Sequence, residues 1–218
     1  MGGNVRNMVV GSIVLILASM YGGDSLGSWF VVKVDVEDDN TNEFRGVTMK
    51  YYLTERTAEY EYDGDAPDDT PWDYSRDYDN NRCADFGDDC DELTGLMVVK
   101  IKNLLYLAIL AGLAALYFFN EDEDEKGAMA CLSMGCAGLL AVAMFGLSFP
   151  EALEDDTGTW SVMASDLDAD PSLFGTENEE EDGVELSVSW RPDIAFALVF
   201  LSGILGVLAY WAQKDQVR

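Results

Sequence analysis

Apolar and polar positions fall into long blocks along this chain rather than an even mixture. Four apolar stretches stand out: Met8 to about Tyr21, Leu96 to Phe119, Ala128 to Phe149 and Ile194 to Trp211. The last three each approach the roughly 20 residues a helix needs to cross the hydrocarbon core of a bilayer. Lys100 and Lys102 interrupt the second stretch near one end, where a lysine can reach the interface. The first stretch, "NVRNMVVGSIVLILASMYGGDS", also has the make-up of a secretory signal. Apolar character resumes after Asp24 in "LGSWFVV", which favours an uncleaved first helix. The pattern predicts spans at 7–27, 96–119, 127–149 and 193–212. Between them lie long loops at 28–95 and 150–192, a short hairpin at 120–126 and a tail at 213–218.

Inside the long loops the period changes to two. "SWFVVKVDVED" places Phe30, Val32, Val34 and Val36 on one face and Lys33, Asp35 and Glu37 on the other. The alternation continues with Val47, Met49, Tyr51 and Leu53, then Tyr60 and Tyr62. Strict alternation of β-branched and aromatic residues marks half-buried antiparallel strands. "GDAPDDTPWDYSRDYDNN" is a turn-rich segment of Asp, Pro, Asn and Gly. The second long loop carries one such strand, "VELSVSW", with Val184, Leu186, Val188 and Trp190 on one face. A lone strand is unstable, so it is expected to pair with the strands of the first loop. The predicted fold is an integral membrane four-helix bundle carrying one small antiparallel β-sheet built from both loops. Trp29, Val32, Val34, Tyr51, Tyr60, Val188 and Trp190 are its expected sheet and interface residues.

Charge sharpens the picture. The chain has 41 acidic and 13 basic residues, no histidine, and is still 49% hydrophobic. Residues 28–95 hold 20 acids and 6 bases, and residues 150–193 hold 14 acids and a single base. Four spans put both termini and the short hairpin on one side and both long loops on the other. Arg6, Lys214 and Arg218 favour a cytoplasmic terminal side, as does the need to translocate two long loops. The expected location is thus a cell membrane with extracellular loops. So negative a surface excludes nucleic acid and anionic lipid headgroups as partners, because both require basic contacts. The expected partners are the bilayer, cations, and a further copy of the chain or another membrane protein. Adaptation to salt accounts for most of the acid excess without any binding role.

The cysteines follow from this topology. Cys83 and Cys90 lie in the first loop, whereas Cys131 and Cys136 lie within the third span. A zinc site wants four ligands, usually Cys and His, and a redox pair is more often spaced CxxC. On the oxidising side of a membrane, Cys83 and Cys90 read as a structural disulfide. Cys131 and Cys136 read as small buried residues at a helix interface. One acidic stretch has metal-ligand spacing: "DLDADPSLFGTE" puts Asp166, Asp168, Asp170 and Ser172 at loop positions 1, 3, 5 and 7 and Glu177 at 12. That is the order of a helix–loop–helix calcium site, with Pro171 where glycine is usual. Calcium is therefore the one cofactor with any pattern behind it. Catalysis has none. Histidine is absent, no nucleophile elbow, phosphate loop or HExxH occurs, and the apolar stretches Ala128–Phe149 and Ile194–Trp211 of spans three and four contain no acid.

A tryptophan opening the first strand, further strands, a cysteine pair just before span two and a last strand entering span four together resemble the claudin and peripheral-myelin-protein superfamily. "SVSWRPDIAFALVFLSGILGVLAYW" is similar to that group's fourth span. Trp29 would stand for its early tryptophan and Cys83 and Cys90 for its disulfide, while "NNRC" stands where Gly-Leu-Trp would precede the first cysteine. The resemblance is one of topology, and it implies more about fold than function. The expected role is non-enzymatic: self-association, adhesion or accessory contacts made by the extracellular sheet. The alternatives are a cation-selective channel or barrier formed by assembled acidic sheets, and a calcium-dependent surface sensor.

Overall fold

A computed structural model describes residues 3–22, 26–38, 44–62, 74–77, 91–157, 172–181 and 184–217. The chain divides into two compact units. One comprises Met1–Gly27, Met97–Gly146 and Ile194–Arg218, and the other Ser28–Leu96 and Leu147–Asp193.

The first unit is helical. Its elements are α1 (Gly3–Tyr21), α2 (Lys102–Asn120), the part of α3 (Asp124–Thr157) up to Gly146, and α4 (Ile194–Val217). A helical turn, Asp91–Leu93, and a π-helical run, Thr94–Ile101, lead into α2. Among the described residues, four segments are long and apolar enough to cross a membrane: Asn4–Tyr21, Thr94–Asn120, Asp124–Leu153 and Ile194–Asp215. α1 packs on α4 through a hydroxyl pair. Ser12 Oγ donates to the Ser202 carbonyl at 2.9 Å, and the two Oγ atoms lie 2.6 Å apart. α3 and α4 cross where both present glycine. A Cβ at Gly206 would lie 2.7 Å from Gly135 Cα, and one at Gly135 would lie 2.7 Å from Val207 N. Small residues at three- and four-residue spacing thus let two backbones touch, the usual helix contact where neither side gains from excluding water. Both Cys131 and Cys136 on α3 are free thiols; Cys131 is buried as expected, whereas Cys136 is exposed, against the expectation that both are buried at a helix interface.

Between α2 and α3 the chain reverses in three residues. Asp122 takes φ 58°, a left-handed conformation that Asp tolerates better than most residues. The N–H groups of Glu121 and Glu123 return to the carbonyls of Tyr117 and Phe118. Lys126 pairs with Glu123 at 2.8 Å.

Among the described residues, the second unit holds a sheet of six strands: β1 (Phe30–Asp38), β2 (Phe44–Tyr51), β3 (Glu55–Tyr62), β4 (Tyr74–Asp77), β5 (Gly175–Glu181) and β6 (Val184–Pro192). Their order is β4-β3-β2-β1-β6-β5, with every neighbouring pair antiparallel. The expected pairing of Val184–Trp190 with the first loop is present, because β6 lies against β1. Val32 faces Trp190, Val34 faces Val188 and Val36 faces Leu186. On the other side of β1, Phe30 faces Tyr51 and Val32 faces Met49. These matched rows make one apolar face. Phe149 of α3 covers it, its ring 4.9 Å from that of Phe30 and 5.6 Å from that of Tyr51. Full burial of two such aromatics contributes about 2–3 kcal/mol each from area alone.

The structure differs from the sequence reading in three places. Tyr74–Asp77, inside the segment read as turn-rich, forms the edge strand β4 against β3. The second loop contributes two strands, not one: β5, "GTENEEE", pairs with β6 as the outermost strand. It lacks apolar alternation because an edge strand of this kind is held by backbone pairing, and its charge discourages further strands from adding on. In addition, α3 does not stop near Phe149 but runs through Pro150 to Thr157. Ala152 and Leu153 are buried, so packing in the sheet unit outweighs the donor that proline removes.

Candidate interaction surface

The residues expected at the sheet and its interface sit mostly on the covered face. Trp29, Val32, Val34, Tyr51, Val188 and Trp190 are buried, and Tyr60 is partly exposed on β3 opposite Val47. The exposed face of the sheet is the other one, which the period-two rule assigns to the intervening positions. There the register brings three cations onto adjacent strands. Val31 on β1 stands between Lys50 on β2 and Arg191 on β6, and Lys33 stands between Thr48 and Ser189.

Two of these cations are compensated within the sheet. Lys33 Nζ lies 2.7 Å from Asp35 Oδ1, and this hydrogen-bonded partner raises the Lys33 amine above its ordinary value. Lys50 Nζ lies 2.8 Å from Glu59 Oε1. Arg191 is exposed and has no ion-pair partner among the described residues.

Beside Arg191 the face is indented. A cavity of about 570 Å³ is lined by Val31, Lys33, Phe174, Gly175, Thr176, Ser189, Trp190 and Arg191. Its wall depends on how β5 begins. Trp190 Nε1 donates to the Ser172 carbonyl at 3.0 Å, and Ser172 Oγ donates to the Phe174 carbonyl at 2.8 Å. The indole crosses directly over Gly175, where any Cβ would collide with the ring. Glycine is thus required there by close approach, and the strand start is clamped with Phe174 66% exposed. Thr176 and Ser189 face each other across β5 and β6.

The remaining sequence candidates are placed as follows. Cys83, Cys90, Asp166, Asp168 and Asp170 lie outside the described residues. Ser172 is engaged with Phe174 and Trp190, and Glu177 stands in β5 opposite Val188. Among the described residues no three His, Cys, Asp or Glu side chains converge as a metal site. Sequence reasoning missed Phe174, Thr176 and Arg191. One signal was available: Arg191 is the single base among 14 acids between residues 150 and 193. A comparison of the chain with protein-family models and with curated proteins finds no match to either.

Proposed function

We propose that this chain is a non-enzymatic, claudin-like protein of the cell membrane that acts through protein–protein contacts of its sheet. In this reading α1 to α4 span the bilayer, both termini are cytoplasmic, and the sheet stands outside. The observation that carries it is the β1–β6 pairing. It joins two distant segments, each adjoining an apolar helix, into one sheet with a covered apolar face and a charged outer face. A sheet held in this way is a rigid platform, and rigid platforms are good contact surfaces because little ordering entropy is lost on binding. The partner is another copy of the chain or a second membrane protein. The Cys83–Cys90 disulfide belongs to the same reading.

The test places a photo-crosslinking residue at Thr48, on the outer face, and at Leu110 of α2 as a comparison. Irradiating intact cells should yield an adduct of defined mass from position 48 that competes with excess purified protein. If position 48 yields none while position 110 does, contacts run through the helices and the proposed role of the sheet fails.

A further inference from the structure

We propose that the cavity beside Arg191 is a binding site for a small monocarboxylate that carries a ring. This site lies on the same outer face as the partner contact proposed above but does not depend on it.

The argument begins with charge. In a chain with 41 acids and 13 bases, a guanidinium surrounded by nothing special would be expected to find a carboxylate nearby. Lys33 and Lys50 have done so, on the same face. Arg191 has not, among the described residues, and it lines a cavity whose other polar lining is Lys33, already paired with Asp35, and the hydroxyls of Ser189 and Thr176. An arginine fork accepts a carboxylate with two parallel hydrogen bonds, and adjacent hydroxyls supply the remaining donors. The net charge of the chain then limits the ligand. Polyanions are repelled by the surrounding field, so a single negative charge close to the fork is the favoured load.

The rest of the cavity describes the body of the ligand. Val31 provides an apolar floor, and Phe174 presents most of its ring to solvent from the strand start. An exposed phenyl ring on a charged face is otherwise unfavourable, and here it stands where a second ring could meet it edge-on or offset. The volume, about 570 Å³, lies within the range of small-molecule sites. The Trp190–Ser172 bond and Gly175 beneath the indole fix this wall before any ligand arrives. Such preorganisation lowers the ordering cost of binding.

The test titrates the full chain in detergent with 4-fluorobenzoate, followed by fluorine NMR of the ligand. Partition into micelles is common to wild type and variants and therefore cancels. The wild type should show a saturable shift. Arg191→Gln should weaken it about tenfold or more, the scale of a charge-assisted pair. Arg191→Lys should fall between them, because it keeps charge without the fork. Phe174→Ala should weaken 4-fluorobenzoate but leave fluoroacetate unchanged. Both sites are exposed, and an unchanged melting temperature would show that each variant folds. The proposal is overturned by equal saturation in Arg191→Gln, by equal binding of neutral 4-fluorobenzamide, or by no saturable shift in the wild type.

Discussion

The helical unit and the sheet unit both bury large apolar side chains but differ in what they turn outward. Where α3 meets α4, Gly135 lies against Gly206 and the buried Phe145 ring lies 5.6 Å from that of Phe196, while the outward helix faces are apolar: Leu110 is 63% exposed, and Val14, Leu113 and Phe200 are about half exposed. In the sheet unit the aromatics Trp29, Phe30, Tyr51 and Phe149 are fully buried, and the free face carries Lys33, Asp35, Lys50 and Glu59. The sheet unit thus turns charge outward, and the helical unit turns apolar side chains outward. The apolar exterior belongs to the helices that are long and apolar enough to cross a membrane.

The largest effect is expected in the sheet. Phe149→Ala removes the ring that covers Phe30 and Tyr51 and should destabilise the sheet unit by about 3–5 kcal/mol. Leu110→Ala, which truncates an outward side chain of similar size, should cost less than about 0.5 kcal/mol in detergent. Residue-resolved hydrogen exchange reads both, and comparable losses would erase the distinction. The helical unit should respond to the reverse change. Gly206→Leu drives a side chain into Gly135 and should cost about 1–3 kcal/mol, measured by the steric-trap or denaturant unfolding of the purified protein. Gly11 of α1 has open space where its Cβ would sit, so Gly11→Ala should stabilise by about 0.5–1 kcal/mol. The smallest effect concerns Lys33, whose amine is raised by Asp35. A raised lysine stabilises the fold fully below its unfolded value near 10.5, and the contribution is lost as pH rises through the higher folded value. The pair is well exposed, so it is worth less than about 1 kcal/mol. Lys33→Met should abolish only the part of the alkaline loss that lies above pH 10.5.

Much of this was legible in the sequence because burial imposes periods. The four apolar blocks and the alternation through Val32, Val34, Val47, Met49 and Val188 are direct traces of which side each residue must face. The pairing of β6 with β1 followed from the same rule, since two half-buried faces need each other. β5 left no such trace, because an edge strand rich in glutamate satisfies its backbone on one side and buries little. The extension of α3 past Pro150 was hidden for a different reason. Local preference says stop at proline, and only the burial of Ala152 and Leu153 in three dimensions overrules it. The cavity was hardest to read. Phe174, Thr176 and Arg191 share no period, and they meet only through the register of β5 against β6.

The central place of β1 has a consequence for how the protein is made. β1 ends at Asp38, while its partner β6 begins at Val184. At ribosomal rates of about 5–20 residues per second, the intervening roughly 150 residues take on the order of 10–30 s to synthesise. Throughout that interval β1, already able to form a hairpin with β2, has one row of backbone N–H and C=O groups open beside Val32 and Val34. A nascent chain in that state can add a strand from a neighbouring nascent chain as readily as its own. Biogenesis is therefore most vulnerable before β6 emerges. A truncation that ends before Val184 should be the most aggregation-prone form of the chain, and its burden on chaperones should fall once β6, followed in space by the glutamate-rich β5, closes the sheet.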